Sequence, residues 1–213
     1  MVTLYYSPRA CSLGLHIVLR EINAEFELKR VLLAQRENFT PEYQRINPAC
    51  RVPALQDGEF ILTESQAIYA HISAERDDDV FLPRDPQQRA RAFEMTAWLS
   101  STVHIAYAQL WRPERFVSQE SDYPLIVEHG ERLISEHYAQ VEQRLLSTDY
   151  VSGHEYSFAD TYLFVFYRWG VRIGLDMKKE FPKWARWSER MLDRPAVREA
   201  MDVEGITLSG LVE

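Results

Sequence analysis

One stretch, residues 2–22 with the sequence VTLYYSPRACSLGLHIVLREI, constrains the fold more than any other part of the chain. Its first five residues favour a β-strand, and the apolar residues from Leu13 onward have the spacing of a helix that packs against a sheet. Pro8 interrupts the strand because proline has no N–H group for a ladder. The stretch therefore predicts a strand, a turn and a helix that begins near Ser12.

Cys11 lies immediately before this predicted helix. The first N–H groups of a helix have no partner within the helix, and they can lower a cysteine pKa from about 8.5 to roughly 3.5–7.5. The same groups can hydrogen-bond an anion or the sulfur of a bound ligand. Cys11 is therefore either a reactive thiol at a binding site or a small apolar residue of the core.

The composition narrows the class of protein. The chain has 213 residues, of which 46% are hydrophobic and 26% charged, as in globular proteins of one or two domains. Its 32 acidic and 24 basic residues give a net charge of −8, which argues against nucleic acid or an anionic membrane as the main partner. No apolar run approaches the roughly 20 residues of a membrane span. The 2 cysteines form no CxxC motif, so we expect neither disulfides nor a zinc site and a location in the reducing cytoplasm.

A small α/β unit is predicted over the first third of the chain. Residues 26–31 have strand character and should lie parallel to the first strand through a right-handed βαβ connection. After a polar loop with a short helix over 41–46, the Asp57-Gly58 pair predicts an antiparallel hairpin. A helix over about 63–74 completes a four-stranded mixed sheet with helices packed on it.

The rest of the chain is predicted to be all-α. Charged residues and two prolines mark residues 77–86 as a linker between a domain over 1–76 and a domain over 87–213. After the linker we find helical periodicity and no convincing pair of strands. The predicted helices cover 87–116, 124–147, a segment that follows a capping box at Ser157 and Asp160, 181–192 and 195–201.

Several classes of site lack their signature. The chain has no GxGxxG, GxxxxGK[ST], GxSxG or HExxH motif, and its 6 histidines do not cluster with carboxylates, so no metal site is predicted. His104 either packs in the core or faces the cleft between the domains, where it could transfer a proton near Cys11. Glu64 and Ser65 begin a helix and could either cap it or receive the charged end of a ligand. Arg36 is either a solvated loop charge or a cation for an acidic ligand.

Four segments, taken together, resemble one family. The segments SPRACSLGLHIVLRE, INPACRVPAL, DGEFILTESQAI and SFADTYLF resemble the glutathione transferases, most closely the bacterial beta class. The resemblance covers nearly the whole chain and includes the order of its elements. It implies a thioredoxin-like N-terminal domain that binds glutathione, an all-α domain that forms the electrophile site, no metal, and a homodimer that acts in detoxification.

The resemblance also implies roles for individual residues. Cys11 would contact the glutathione sulfur with the help of Ser12, and His104 would approach the sulfur from the helical domain. The Val52 backbone, before a cis Pro53, would pair with the cysteinyl part of glutathione. The residues implied to bind glutathione are Ala10, Cys11, Arg36, Val52, Pro53, Glu64 and Ser65. The aromatic candidates for the walls of the electrophile site are Tyr107, Trp111 and Trp169.

Two residues depart from the family's pattern. Arg36 stands where beta-class enzymes tend to have a lysine for the glycyl carboxylate of glutathione, which keeps the charge and changes the geometry. Cys50 stands where the family often has glycine, and it brings a second thiol to the loop before Val52.

The predicted function is activation of the glutathione thiol for attack on a small hydrophobic electrophile. A cysteine at position 11 also permits a mixed disulfide, so the first alternative is glutathione-dependent thiol-disulfide exchange or peroxide reduction through Cys11. A second alternative, from another class, is a non-catalytic protein that uses the same fold to bind a ligand or a partner protein.

Overall fold

The N-terminal region forms the predicted mixed sheet. The computed structural model describes residues 1–74 and 82–210. Its strands are β1 (Val2–Tyr6), β2 (Phe26–Arg30), β3 (Ala54–Asp57) and β4 (Phe60–Thr63). The strand order is β2-β1-β3-β4, with β1 parallel to β2 and antiparallel to β3, and with β3 antiparallel to β4. The helices of this region are α1 (Leu13–Glu21), α2 (Pro41–Ile46) and α3 (Ser65–Ala74). The predicted βαβ unit and hairpin are both confirmed.

Helix α1 lies at the centre of the molecule. Leu13, Leu15, Ile17 and Val18 have no exposed surface, because α1 is covered by the sheet on one side and by helices of the C-terminal region on the other. Full burial of one such side chain stabilises a fold by about 1.5–3 kcal/mol. The helix that follows Cys11 is therefore a rigid support for the loop before it.

The C-terminal region is helical, as predicted. Its helices are α4 (Pro86–Trp98), α5 (His104–Trp111), α6 (Tyr123–Arg144), α7 (Phe158–Arg172), α8 (Met177–Glu180), α9 (Pro182–Asp193) and α10 (Pro195–Glu204). Helix α7 is central, and its residues from Phe158 to Gly170 are all buried. No helix within residues 1–74 and 82–210 is both long and apolar enough to cross a membrane.

The helix predicted over 87–116 is confirmed over Pro86–Trp111, but it contains a π-helical turn that the sequence did not predict. Residues Leu99–Val103 form a π-helical turn between α4 and α5, a wider turn that often occurs near functional sites. Helix α5 then ends at Trp111, before Arg112 and Pro113, because proline offers no N–H group to continue the ladder. The π-helical turn directly precedes His104, the first residue of α5. Sequence analysis also missed the short helix α8.

The capping box that opens α7 is confirmed. Asp160 is fully buried and accepts hydrogen bonds from the backbone N–H groups of Ser157 and Val151 and from the indole Nε1 of Trp187. Burial raises the pKa of the Asp160 carboxyl to about 6, against the opposing effect of these donors. One carboxylate thus holds three segments of the helical domain together.

The domain boundaries stay a prediction. Residues 75–76 of the predicted first domain, 77–81 of the predicted linker and 211–213 at the end of the second domain lie outside the described residues. The described end of the linker leads into α4, where the Asp85 side chain caps the helix by accepting from the Gln88 N–H at 2.8 Å.

Candidate active site

Cys11 lies between two loops of the N-terminal domain. It follows the turn after β1, and its thiol donates a hydrogen bond to the Val52 carbonyl oxygen, with 3.6 Å between Sγ and O. The peptide bond between Val52 and Pro53 is cis. The structure therefore brings together three residues that the sequence assigned to one site, although they lie some forty positions apart in the chain.

Of the two alternatives for Cys11, the chain without a ligand fits the buried thiol and not a thiol of lowered pKa. Only 7% of the residue is exposed, and burial raises the pKa of its thiol to about 12. The backbone N–H groups of Cys11 and Ser12 act in the expected direction, but they are weaker than the loss of hydration, and the Glu64 carboxylate adds to the rise. Cys11 is therefore a neutral thiol at pH 7 and a hydrogen-bond donor.

The Ser12 side chain stabilises the turn between β1 and α1. Its side chain is fully buried, accepts a hydrogen bond from the Ser7 N–H at 3.2 Å and donates one to the Ser7 carbonyl at 3.3 Å. Both partners lie in the turn that carries Cys11. The predicted role of Ser12 beside a bound sulfur is therefore not supported, because its hydroxyl is committed to the turn.

Strained backbone surrounds the thiol. Four residues other than glycine adopt left-handed φ angles in the loops of the predicted site: Arg9 (69°), Arg36 (59°), Cys50 (55°) and Glu64 (68°). Such conformations cost of the order of 1–3 kcal/mol each and tend to cluster where function requires them. Glycine adopts this conformation readily, which explains why the family's pattern often has glycine where this chain has Cys50.

The segment before Val52 is held by side chains. Tyr43 Oη and Asn47 Nδ2 donate to the Arg51 carbonyl at 2.6 and 2.7 Å, and Asn38 Nδ2 donates to the Cys50 carbonyl at 2.8 Å. Tyr43, Asn47 and Asn38 are buried. The backbone beside the cis bond is therefore fixed by a polar network that the sequence motif alone did not reveal.

The other predicted glutathione residues lie at the rim of the domain. Ser65 is buried and begins α3, and Glu64 beside it is exposed. The Glu64 carboxylate is near enough to Cys11 to affect its pKa. Arg36 is exposed on the loop after β2, and its guanidinium group stacks on Phe39, 4.9 Å from the ring centre. Ala10 is half-buried next to Cys11.

His104 faces this site from the helical domain. Its half-buried ring lies 5.1 Å from that of Trp169, whose Nε1 donates to the Arg9 carbonyl at 2.9 Å. Burial, together with the smaller effects of the Arg115 and Arg51 charges, lowers the pKa of His104 to about 4. The imidazole is thus neutral at pH 7, and Trp169 connects the two domains directly at the loop that carries Cys11.

Two of the three predicted electrophile-site aromatics are core residues. Tyr107 has no exposed surface, and its hydroxyl shares a hydrogen bond with that of Tyr138. Trp169 is only 3% exposed and packs against neighbouring rings. Trp111 is half-buried, with the Arg172 guanidinium group 4.9 Å from its ring centre, and it is the member of the set that retains open surface.

Sequence analysis missed the cations at this cleft. Arg51, Arg112 and Arg115 act electrostatically on one another or on His104 and Cys11. Arg51 lies inside a segment that carried the resemblance. The sequence therefore showed that it precedes Val52, but not where its side chain points. A separate surface cavity of about 340 Å³ between the end of α6 and α9 contains none of the predicted site residues.

Comparison with known proteins agrees with both halves of this arrangement. The family model described as "Glutathione S-transferase, N-terminal domain" matches residues 1–74, and "Glutathione S-transferase, C-terminal domain" matches residues 105–195. Glutathione S-transferase GstA of Escherichia coli O157:H7 is 30% identical over 206 residues, which cover 95% of this chain and 98% of that protein.

Solved structures show the same fold with similar coverage. A glutathione transferase homologue from Sulfitobacter, crystallised with bound glutathione, superimposes with a TM-score of 0.89 at 31% identity and covers 95% of this chain and 98% of its own. A bacterial beta-class glutathione S-transferase of Sphingomonas chungbukensis gives a TM-score of 0.83 at 33% identity, with 96% and 100% covered. The chain belongs to the glutathione S-transferase family and is a transferase with glutathione as its co-substrate.

Proposed function

We propose that this enzyme holds glutathione along the Val52–Pro53 segment, with the glutathione sulfur beside Cys11, and transfers it to a small electrophile. The observation that carries the proposal is the hydrogen bond from Cys11 Sγ to the Val52 carbonyl beside the cis bond. It supports a site in which one loop offers backbone groups to a peptide and the other offers a donor to a sulfur atom.

In this proposal the remaining residues each bind a different part of glutathione. The Val52 backbone pairs with the cysteinyl part, and Glu64 and Ser65 receive the γ-glutamyl end at the N-terminus of α3. Arg36, on an exposed loop, receives the glycyl carboxylate. A carboxylate near the ammonium group and cations near the carboxylates give each end of glutathione an opposite charge.

The chemistry proposed is nucleophilic attack by the glutathione thiolate. The thiol loses its proton to solvent, the thiolate forms a bond to the electrophilic carbon, and the leaving group departs with the electron pair of its own bond. When glutathione binds, the Cys11 S–H group turns from the Val52 carbonyl to the glutathione sulfur and stabilises the thiolate by donating to it, and the positive charge of Arg51 acts in the same direction. His104, neutral at pH 7, provides a hydrogen bond from the opposite side.

Thiol-disulfide exchange is the second candidate, because Cys11 is a cysteine at the same position. In that reaction the Cys11 thiolate attacks glutathione disulfide, forms a mixed disulfide and releases one glutathione thiolate. The pKa of about 12 disfavours it, since very little thiolate is present at pH 7. A non-catalytic binding role has no specific observation in its favour.

Three further properties belong to the same proposal. We place the enzyme in the beta class, in a homodimer, and in the cytoplasm, with detoxification of electrophiles as its role. Similarity to the S. chungbukensis structure supports the class. Exposed apolar side chains such as Phe60, 52% exposed, and Leu125, 66% exposed, are candidates for burial between two subunits. Light scattering after gel filtration measures the assembly.

The proposed conjugation is tested with 1-chloro-2,4-dinitrobenzene and glutathione. We expect Cys11→Ala to lower kcat about tenfold to a hundredfold and to abolish any mixed disulfide with glutathione. Half-buried Cys50 provides the matched control, and Cys50→Ala should retain most of the rate. Equal rates for the wild type and Cys11→Ala would remove Cys11 from the reaction.

A further inference from the structure

Three arginines meet where the two domains face each other. Arg51 directly precedes Val52 in the N-terminal domain, whereas Arg112 and Arg115 follow α5, the helix that begins with His104. All three side chains are exposed. Val52 contacts Cys11, and Arg115 lies near enough to Arg51, Arg112 and His104 for their charges to interact, so the three arginines border the same cleft as Cys11. The roles assigned above to glutathione do not require all of them.

The backbone on both sides of the cleft is fixed. The Arg51 carbonyl accepts hydrogen bonds from Tyr43 and Asn47. Across the cleft, Arg112 leaves the helix with φ −145° and ψ 52°, and the next residues form one tight turn in which the Arg115 N–H donates to the Arg112 carbonyl at 3.0 Å. The arginine side chains thus extend from rigid supports.

The charges of the three side chains influence one another. Arg51 and Arg112 both lower the pKa of Arg115, after the larger effect of burial. Arg51 and Arg115 both act on His104, and Arg51 acts on Cys11. Positive charge is therefore concentrated beside the reacting groups, with Glu114 and Glu64 as the acidic residues that act on Arg115 and Cys11.

These arginines lack the partners that arginines elsewhere in the chain have. Within residues 1–74 and 82–210, no carboxylate lies within ion-pair distance of Arg51, Arg112 or Arg115. The arginines that do pair with a carboxylate include Arg20, Arg45, Arg91, Arg132, Arg144 and Arg194. In a chain of net charge −8, unpaired like charges at one cleft indicate attraction of an anion.

We propose that the preferred electrophile is a small aromatic compound with a carboxylate or sulfonate group, which Arg112 and Arg115 bind while Arg51 adds to the attraction. This inference rests on the proposed function and names its substrate class. The arginines that follow α5 belong to the domain that forms the electrophile site. The open surface of Trp111, next to Arg112, offers a wall for an aromatic ring.

The reaction with such a compound needs no further reactant. In 4-chloro-3-nitrobenzoate, the glutathione thiolate attacks the ring carbon that carries chlorine, a C–S bond forms, and the C–Cl bond breaks. Chloride leaves with the electron pair, and the proton of the thiol goes to solvent. The carboxylate lies on the opposite side of the ring, so it can contact the arginines without entering the reaction.

The test compares this benzoate with 4-chloro-3-nitrobenzamide, which has the same ring and a neutral group in place of the carboxylate. After correction for the rates without enzyme, we expect kcat/KM for the benzoate to exceed that for the amide about tenfold or more at low salt, and the ratio to fall as salt screens the charges. The double variant Arg112→Gln/Arg115→Gln should lower the ratio at least about fivefold.

The matched control is Arg132→Gln, an exposed arginine of α6 that pairs with Glu136, and it should leave the ratio unchanged. A ratio near one in the wild-type enzyme, or a ratio that the double variant does not lower, would overturn the inference. It would also be overturned if the double variant raised the KM for glutathione and left the ratio intact, because the arginines would then serve glutathione. Failure to conjugate either compound would instead overturn the proposed function.

Discussion

The two walls of the cleft differ in whether they present mainly backbone groups or mainly side chains to a ligand. The N-terminal wall presents mainly backbone, held in left-handed and cis conformations by buried side chains, as at Glu64, Cys50 and the Val52–Pro53 bond. The helical wall presents side chains, namely His104, Trp111 and the arginines after α5. Backbone groups are unchanged by most substitutions, so a wall of backbone suits one constant ligand. A wall of side chains changes its chemistry with each substitution. The comparison suggests that glutathione recognition lies on the first wall and choice of the second substrate on the other.

The largest expected effect comes from Trp169, which connects the two walls. Trp169→Ala should lower the free energy of unfolding by about 3–5 kcal/mol, because the indole is buried among aromatic rings. Trp169→Phe keeps a ring but removes the hydrogen bond to Arg9 and part of the buried ring volume, so it should cost about 1–2 kcal/mol. Urea unfolding measures both changes. Equal losses in the two variants would show that the hydrogen bond, and not the packing, joins the walls.

A buried pair at the same domain seam predicts a dependence on pH. His16 in α1 and Glu204 in α10 lie 2.9 Å apart with both side chains fully buried. The Arg20 Nε donates to His16 Nε2, so His16 is neutral and donates from Nδ1 to Glu204. Burial raises the pKa of Glu204 to about 8 and lowers that of His16 to about 3.

The direction of the pH dependence follows from the difference in bound protons between the folded and unfolded chains. Between about pH 5 and 8 the folded chain keeps a proton on Glu204 that the unfolded chain has lost. Below about pH 6.5 the unfolded chain in turn holds a proton on His16 that the folded chain lacks, and the two effects cancel. Stability should therefore fall as the pH rises from about 6.5 to 8. Glu204→Gln should remove about 1–3 kcal/mol of this decline. Glu199→Gln is the matched control, since Glu199 also contacts Arg20 but is exposed. Unfolding curves at several pH values decide the matter, and parallel declines in wild type and Glu204→Gln would exclude Glu204 as the cause.

Variants at the two serines predicted in the site, Ser65 and Ser12, distinguish a residue that contacts glutathione from a residue that supports the loop around Cys11. Ser65→Ala should weaken glutathione binding about fivefold to tenfold, because a buried hydroxyl at the start of α3 would no longer meet the γ-glutamyl carboxylate. Ser12→Ala should leave the affinity within about twofold and lower the stability by about 1 kcal/mol, since its hydroxyl bonds to the backbone of Ser7. Calorimetric titration measures the affinities. The reverse order of effects would place Ser12 in the site.

The smallest effect is expected at Cys50. Cys50→Gly relieves a left-handed conformation but increases the freedom of the unfolded chain, so stability should change by less than about 1 kcal/mol. The rate of conjugation should not change. A large loss of activity would show that this second thiol, and not only the backbone around it, contributes to the first wall.

The same contrast explains what the sequence could predict. The βαβ connection, the hairpin at Gly58 and the capping box at Ser157 follow local rules, so the residues themselves specify them. The π-helical turn before His104 and the burial of Tyr107 depend on how α4, α5 and α6 pack, which periodicity does not encode. For the same reason the expected effect of the helix N-terminus on Cys11 had the right direction but was smaller than the effect of burial.

Titration of reduced glutathione into the wild-type protein, followed by mass spectrometry of the same sample after addition of glutathione disulfide, tests the central claim most directly. The account predicts saturable binding at one site per chain, weakened in Ser65→Ala, and an unmodified protein mass, because Cys11 stays a neutral thiol that contacts the sulfur without bonding to it. Absence of binding would contradict the assignment of the site. A glutathione adduct on Cys11 after addition of glutathione disulfide, with one glutathione thiolate released per adduct, would contradict the proposed mechanism and favour thiol-disulfide exchange.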